Sequence, residues 1–278
     1  MESIGVKMSM GIPARIFAII LKLSPSWLQN KLWQWWYQKL SKSHIKQDFR
    51  FMNYGYVDEK PPDLESQDEP HRLFIQLYDM NLRNILLKNK QVLEVGSGRG
   101  GGASWIARSM QPASLIGVDF SSEAISLCNN WYNGQKNLSF VEGNAENLSF
   151  PDSSFDVIYN VESSHCYGDV SKFINEVFRV LRVGGSFCWT DFRDDESMIS
   201  INQMFLDSGF KIISKREITT EVLDALDSIN DAKMSTIEEL VPKTIRRSFE
   251  TFAGVQGTPV YEAFRNKKLK YYSYQMTK

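Results

Sequence analysis

The residues best equipped to move a proton sit beside two apolar runs. His165 lies in "NVESSHCYGD" (160–169), five residues past the end of "FDVIYN" (155–160). It is one of only three histidines, with His44 and His71. Asp191 sits near the end of the next apolar run, "GSFCWTDF" (185–192). If both runs are strands of one open α/β sheet, both residues face the edge where such sheets bind ligands. A carboxylate beside an imidazole fixes its tautomer and stabilises its charged form, which is how a general base is oriented. The same residues also fit a turn histidine bonded to backbone and an ordinary loop cap, and the sequence leaves both readings open. Tyr167 is the lesser candidate there, for packing or for orienting an acceptor.

A second group could bind a nucleoside. "VLEVGSGRGGG" (92–102) follows an apolar run and opens a helical pattern. Gly96, Gly98 and Gly101 satisfy GxGxxG, the dinucleotide pattern, which by itself is a weak signal. Asp119, at the end of the run "SLIGVDF" (114–120), stands where a ribose-binding carboxylate belongs in a dinucleotide site or an adenosyl site alike. Glu94 discriminates between the two. A carboxylate two residues before the first glycine suits a cofactor with an ammonium end and is badly placed for pyrophosphate.

These residues need a scaffold. Short apolar runs bounded by turn residues predict strands over 91–95, 114–120, 138–143, 155–160 and 185–192. Between the last two, Val170, Phe173, Ile174, Val177, Phe178 and Leu181 recur on one helical face, with Asp169 as N-cap. Strands alternating with helices at this spacing predict a parallel sheet covered on both faces. A sixth strand is expected over 210–219 and a seventh at "LKYYSYQMTK" (269–278). A helix is expected over 71–88. The predicted organisation is an N-terminal helical cap (1–70) with an exposed Pro- and acid-rich end, a core (71–220), a helical insert (221–264) and a final strand (265–278).

In order and spacing, the pieces from about 90 to 190 resemble the class I S-adenosylmethionine-dependent methyltransferases of the small-molecule type. The resemblance is carried by Glu94, Gly96, Gly98 and Gly100, by Asp119, by Asn144-Ala145-Glu146 with Phe150, by "DSSFD" (152–156) and by "EVFRVLRVGG" (176–185). It implies a Rossmann-like seven-stranded, mostly parallel sheet with an antiparallel last strand and S-adenosylmethionine as cofactor. It places Glu94, Gly96, Ser97, Gly98 and Gly100 at the amino-acid portion, Asp119 at the ribose with Phe120 beside it, Asn144, Ala145 and Glu146 at the adenine, and Asn160 on the methionine side. Asn144 stands where the family usually has Asp, and Val183 where it often has Pro. An Asn carbonyl still accepts the adenine amino group.

The nearer resemblance is to bacterial O-methyltransferases of lipophilic polyketide-type alcohols, including the phthiotriol and phenolphthiotriol dimycocerosate group. "FMNYGY" (51–56), "NVESSHCY" and "FAGVQGTPVYEAF" (252–264) carry it across nearly the whole chain after residue 50. It implies a small, lipophilic acceptor, His165 as general base supported by Asp191, and a pocket walled by Tyr54, Tyr56, Tyr167, Phe252 and Tyr261. Methylation at nitrogen or carbon, a nicotinamide oxidoreductase and a non-catalytic binding module are the alternatives.

Composition narrows the partners. The formal net charge is −1, against the basic excess of a nucleic-acid binder, and "NVES" lacks the Pro-Pro-aromatic motif of amino-methylating nucleic-acid enzymes. Cys128, Cys166 and Cys188 show no metal or disulfide spacing, so no metal is expected and an intracellular, cytoplasmic setting is the default. "WLQNKLWQWWYQKL" (27–40) holds four of the seven tryptophans at roughly helical spacing. It reads as a helix packed on the domain, or as one meeting a membrane surface peripherally.

Overall fold

The computed structural model describes residues 49–241 and 246–278. The Trp-rich helix expected over 27–40 lies outside them. Seven strands form one sheet: β1 (Gln91–Val95), β2 (Ser114–Asp119), β3 (Leu138–Glu142), β4 (Phe155–Val161), β5 (Leu181–Arg193), β6 (Lys211–Glu217) and β7 (Lys270–Thr277). Their order is β3-β2-β1-β4-β5-β7-β6. The first five pair in parallel, and β7 runs antiparallel to both β5 and β6. The sheet and its antiparallel end are those expected from the sequence.

Helices α1 (Arg72–Asn81), α2 (Gly101–Ser109), α3 (Ser122–Trp131), α4 (Val170–Val180) and α5 (Asp195–Asp207) surround the sheet. Side-chain alternation along each strand divides the core in two. Val92, Val157, Tyr159 and Cys188 join α1 and α2 on one face, while Leu93, Ile158, Phe187 and Trp189 join α4 and α5 on the other. Asp169 caps α4 as expected, its side chain accepting the Lys172 amide. Helices α6 (Thr219–Leu240), α7 (Arg246–Phe252) and α8 (Pro259–Arg265) follow β6. Val222 and Leu226 of α6, and Tyr261 and Phe264 of α8, join the α1–α2 face, where Tyr54 and Tyr56 also lie.

Two local expectations change. The helix expected over 71–88 stops at Asn81, and Asn84 takes a left-handed φ of 67°. Leu87 remains buried without the helix, reaching the core from a turn. The stretch 61–70 is largely exposed, but Asp68 is buried in a two-pronged ion pair with Arg108 of α2 at 2.8 and 3.0 Å. The segment is thereby pinned, with Pro70 in a short 3-10 turn (Glu69–His71) that leads into α1. No helix of the described residues is long and apolar enough to cross a membrane.

The order of strands places a switch point between β1 and β4, where connections leave in opposite directions. The loops after these two strands must meet there, at the carboxyl edge where ligands of such sheets bind. Helix α2 comes close to α1 at this place. A Cβ on Gly102 would lie 2.1 Å from the Tyr78 ring. Gly102→Ala is therefore expected to cost about 1–3 kcal/mol through overpacking, read from urea unfolding. Gly134→Ala, with nothing within 4 Å of its Cβ, is the control.

Candidate active site

The loop after β1 begins with a hydrogen-bonded turn: the amides of Gly96 and Ser97 both donate to the Val118 carbonyl, at 2.8 and 2.9 Å. Gly96 has a φ of 78°. A side chain there would also strike Ser163 Oγ at 2.2 Å and Tyr167 at 2.7 Å, so glycine is required twice over. Asp119, at the end of β2, holds the next turn. Its carboxylate accepts the Gly98 amide at 2.8 Å and the Ser121 amide at 2.9 Å. Burial raises its pKa above the usual carboxylate value, against these backbone donors. Phe120 follows with 52 % of its surface exposed, a large apolar ring left beside the carboxylate.

Asn160 closes the other side of the loop. Its Nδ2 donates to the Val95 carbonyl at 2.8 Å and to Ser163 Oγ at 2.6 Å, with Tyr167 Oη at 3.1 Å. A carbonyl can only accept, so this contact fixes which end of the amide is nitrogen. The Oδ1 is consequently a buried acceptor without a partner, as is Ser97 Oγ. An ammonium group at the loop would satisfy such an acceptor. The residues present therefore fit a cofactor with an amino-acid end. Tyr167, expected in the acceptor wall, packs over Gly96 and bonds Ser163 at 2.9 Å, beside the glycine loop.

Three predicted cofactor residues have local work of their own. Glu94 is fully buried beneath the loop, in the apolar layer of Val92, and faces the Tyr159 and Tyr78 phenols. Burial pushes its carboxyl up to about 8, partly offset by those phenols. Glu146 Oε1 accepts the amides of Gly168 and Asp169 at 2.8 and 3.0 Å, so this carboxylate clamps the loop that follows His165. Asn144 Oδ1 accepts the Glu146 amide at 2.9 Å, fixing the turn that presents Ala145.

On the β4–β5 side, the two predicted catalytic residues are in contact. His165 Nδ1 lies 2.8 Å from Asp191 Oδ1, and the His165 amide donates to Asp191 Oδ2 at 3.0 Å. The Ser164 hydroxyl donates to the same oxygen at 2.6 Å. Arg193 adds an ion pair at 3.2 Å, and the Arg193 and Trp189 side chains both donate to Ser164 Oγ. Burial would raise the Asp191 pKa, but the His165 and Arg193 charges overcome it and hold the carboxyl well below the usual range. Burial likewise works against charge on His165, yet Asp191 raises it well above the ordinary imidazole value. The His165 side chain remains 26 % exposed.

An aromatic wall adjoins the imidazole. Phe192 lies 4.4 Å from the His165 ring centre, Tyr54 stacks on Phe192 at 5.9 Å, and Phe264 meets both. Tyr54 Oη also donates to the Phe252 carbonyl at 3.2 Å. Tyr56 and Tyr261 spend their hydroxyls on Arg216 and Asp227 respectively, away from this stack. Sequence reasoning missed Phe192, Phe264 and Glu162. Alternation along β5 puts Phe192 on the Cys188 face, the face of Tyr54 and Phe264, and could have found it. Among the described residues, no cluster of His, Cys, Asp or Glu could hold a metal ion.

Comparison with known proteins agrees with this geometry. A family described as a methyltransferase domain matches residues 93–189. The phthiotriol/phenolphthiotriol dimycocerosates methyltransferase of Mycobacterium tuberculosis is 34 % identical over 267 residues, covering 95 % of this chain and 98 % of that protein. The fatty-acid O-methyltransferase of Mycolicibacterium smegmatis is 37 % identical over 233 residues, 83 % of this chain and 84 % of the relative. Among solved structures, the StiE O-MT domain (residues 942–1257) superposes with a TM-score of 0.67 at 18 % identity, covering 87 % of this chain and 88 % of that one. The glycine loop under Asp119, the orphaned acceptor of Asn160 and these relatives together place the chain in a single family: it belongs to the S-adenosylmethionine-dependent methyltransferases, next to the phthiotriol/phenolphthiotriol dimycocerosate group.

Proposed function

We propose that the protein methylates a hydroxyl group of a small, lipophilic, lipid- or polyketide-like acceptor, with His165 as general base and Asp191 as the group that orients it. The observation that carries this reading is the 2.8 Å contact of His165 Nδ1 with buried Asp191, beside a wall of Phe192, Tyr54 and Phe264. With Nδ1 held, Nε2 is the nitrogen left to take a proton. The relatives named for phthiotriol dimycocerosates and fatty acids support an apolar acceptor.

Bound S-adenosylmethionine supplies an electrophilic methyl group. The chain's own residues bind and align. In this reading Asp119, already fixed by two amides, has lone pairs left for the ribose hydroxyls. Asn160 Oδ1 takes the ammonium, Ala145 and Phe120 border the adenine, and Tyr167 covers the amino-acid end. The aromatic wall excludes water and holds the acceptor near His165, which lowers the entropic part of the barrier.

Calorimetry with S-adenosylhomocysteine and with NAD tests the cofactor side. Binding of the homocysteine compound alone is expected. Asp119→Ala should weaken it about 10–100-fold, the worth of hydrogen bonds to a charged group. Binding of NAD in its place would overturn the reading.

The acceptor side is tested by mass spectrometry of methylated products from a panel of long-chain alcohols, phenols and carboxylic acids. His165→Ala should slow transfer to hydroxyls about 10²–10⁴-fold, and transfer to carboxylates little, because these need no base at neutral pH. Equal loss with both acceptor types would remove the base role.

The pH dependence has a definite sign. Asp191 holds His165 protonated above its ordinary value, and only the neutral ring accepts a proton. The kcat/KM for a hydroxyl acceptor should therefore rise with pH until the raised midpoint is passed. Asp191→Asn should move this limb to lower pH, toward the free-imidazole value of about 6.5, while lowering the plateau. A limb that stays in place would show that another group titrates.

A further inference from the structure

Directly after β4 the chain turns at Glu162, with a φ of 47°. A residue with a Cβ rarely takes this conformation, and where it does, the surroundings hold it there. The Glu162 amide donates to the Thr190 carbonyl at 2.9 Å, so the sheet fixes the turn. Its carboxylate lies against the segment that carries Tyr54. Oε1 accepts the Tyr54 amide at 2.7 Å, from a segment 108 residues earlier. The Tyr271 phenol of β7 faces the same carboxylate.

A cation completes the group. Lys233 of α6 donates to the Ala253 carbonyl at 2.9 Å and lies 5.7 Å over the Tyr54 ring. Burial brings it down to about 8, with the Glu162 charge opposing that fall. Burial pushes Glu162 up to about 7, and the Asp191 charge adds to the rise, while Tyr271, the Tyr54 amide and His165 pull it down. The groups facing Glu162 are thus Tyr54, Tyr271, Lys233, His165 and Asp191, the last neutralised in part by Arg193.

We propose that Glu162 is a positioning residue of the acceptor side: its carboxylate, opposed by Lys233, pins the Tyr54 turn against Phe192, so that the wall receiving the acceptor and the imidazole taking its proton are held as one unit. This rests on the acceptor-side reading of the His165 rim. Three stretches distant in sequence, around Tyr54, Lys233 and Tyr271, converge on this one side chain. The carboxylate itself meets Tyr54 and Tyr271 and not Asp119, so its loss should fall first on the acceptor side.

The chain has only three histidines, so the ring resonances of a histidine-labelled full chain can be assigned and titrated. In the wild type the His165 signal should show a second inflection near pH 7, from Glu162. Glu162→Gln should abolish that inflection and lower the midpoint of His165, because a negative neighbour is lost. Lys233→Met, which leaves the Tyr54 hydrogen bond in place, should move the inflection to higher pH. Exchange of the Tyr54 amide with solvent deuterium should quicken about tenfold in Glu162→Ala, the worth of one hydrogen bond to a charged acceptor. It should quicken less in Glu162→Gln, whose amide oxygen still accepts. A His165 titration unchanged in Glu162→Gln and in Lys233→Met, or a Tyr54 exchange rate unchanged in Glu162→Ala, overturns the proposal. A purely structural carboxylate would lower the melting temperature and leave the His165 curve as it was. Binding of S-adenosylhomocysteine, measured on the same samples, should be unaltered. Its absence from the wild type would instead overturn the cofactor reading and leave the titration result standing.

Discussion

An ionised carboxylate without contact with water must find its neutralising groups within the protein, or the fold loses several kcal/mol. Asp191 is such a group. Its two oxygens receive the Ser164 hydroxyl, the His165 amide and ring, the Phe192 amide and the Arg193 guanidinium. Each of these donors is thereby given a place. The short turn after β4 must bend so that Ser164 and His165 approach β5, and the imidazole must present its other nitrogen outward. The loop carrying Tyr167 then starts from a fixed point and passes over Gly96. One buried charge thus relates the rim around His165 to the glycine loop, although they follow different strands.

The architecture was legible where a physical period was strong. Apolar runs of strand length, separated by amphipathic helices, left few arrangements other than a mostly parallel sheet. The strand predicted over 91–95 has the bounds found for β1, because Lys90 and Gly96 close it on either side. The helix predicted over 71–88 was too long. Its apolar spacing continues through Ile85 and Leu87, but Asn84 turns the chain left-handed first. Local backbone preference overruled periodicity there.

The site was legible in its parts and less so in their partners. The His165–Asp191 contact, and the place of Asp119 beside the glycine loop, could be anticipated because the ends of neighbouring strands converge on one edge. Where Tyr167 packs could not be read from sequence, since a loop that carries it seven residues beyond Asn160 can point either way. Glu146 read as an adenine-side acid, and its bonds from Oε1 to two amides of the following loop had no local signal. Glu162 was passed over because an acid at the end of an apolar strand looks like the start of a loop. Its meaning depends on Tyr54, Lys233 and Tyr271, contacts that no local pattern contains.

The place of β7 bears on how the chain assembles. This strand lies between β5 and β6, hydrogen-bonded to both, yet follows them in sequence by more than fifty residues of helices and turns. Until it inserts, β6 has no neighbour in the sheet and β5 presents an open edge. Pairings so distant in sequence close slowly, because loop entropy must be lost before the contacts form. The half of the sheet that carries the glycine loop can form from nearby segments first. The rim around His165 and Glu162, which is faced by Tyr271 from β7, therefore waits for the last strand of the chain before it is complete.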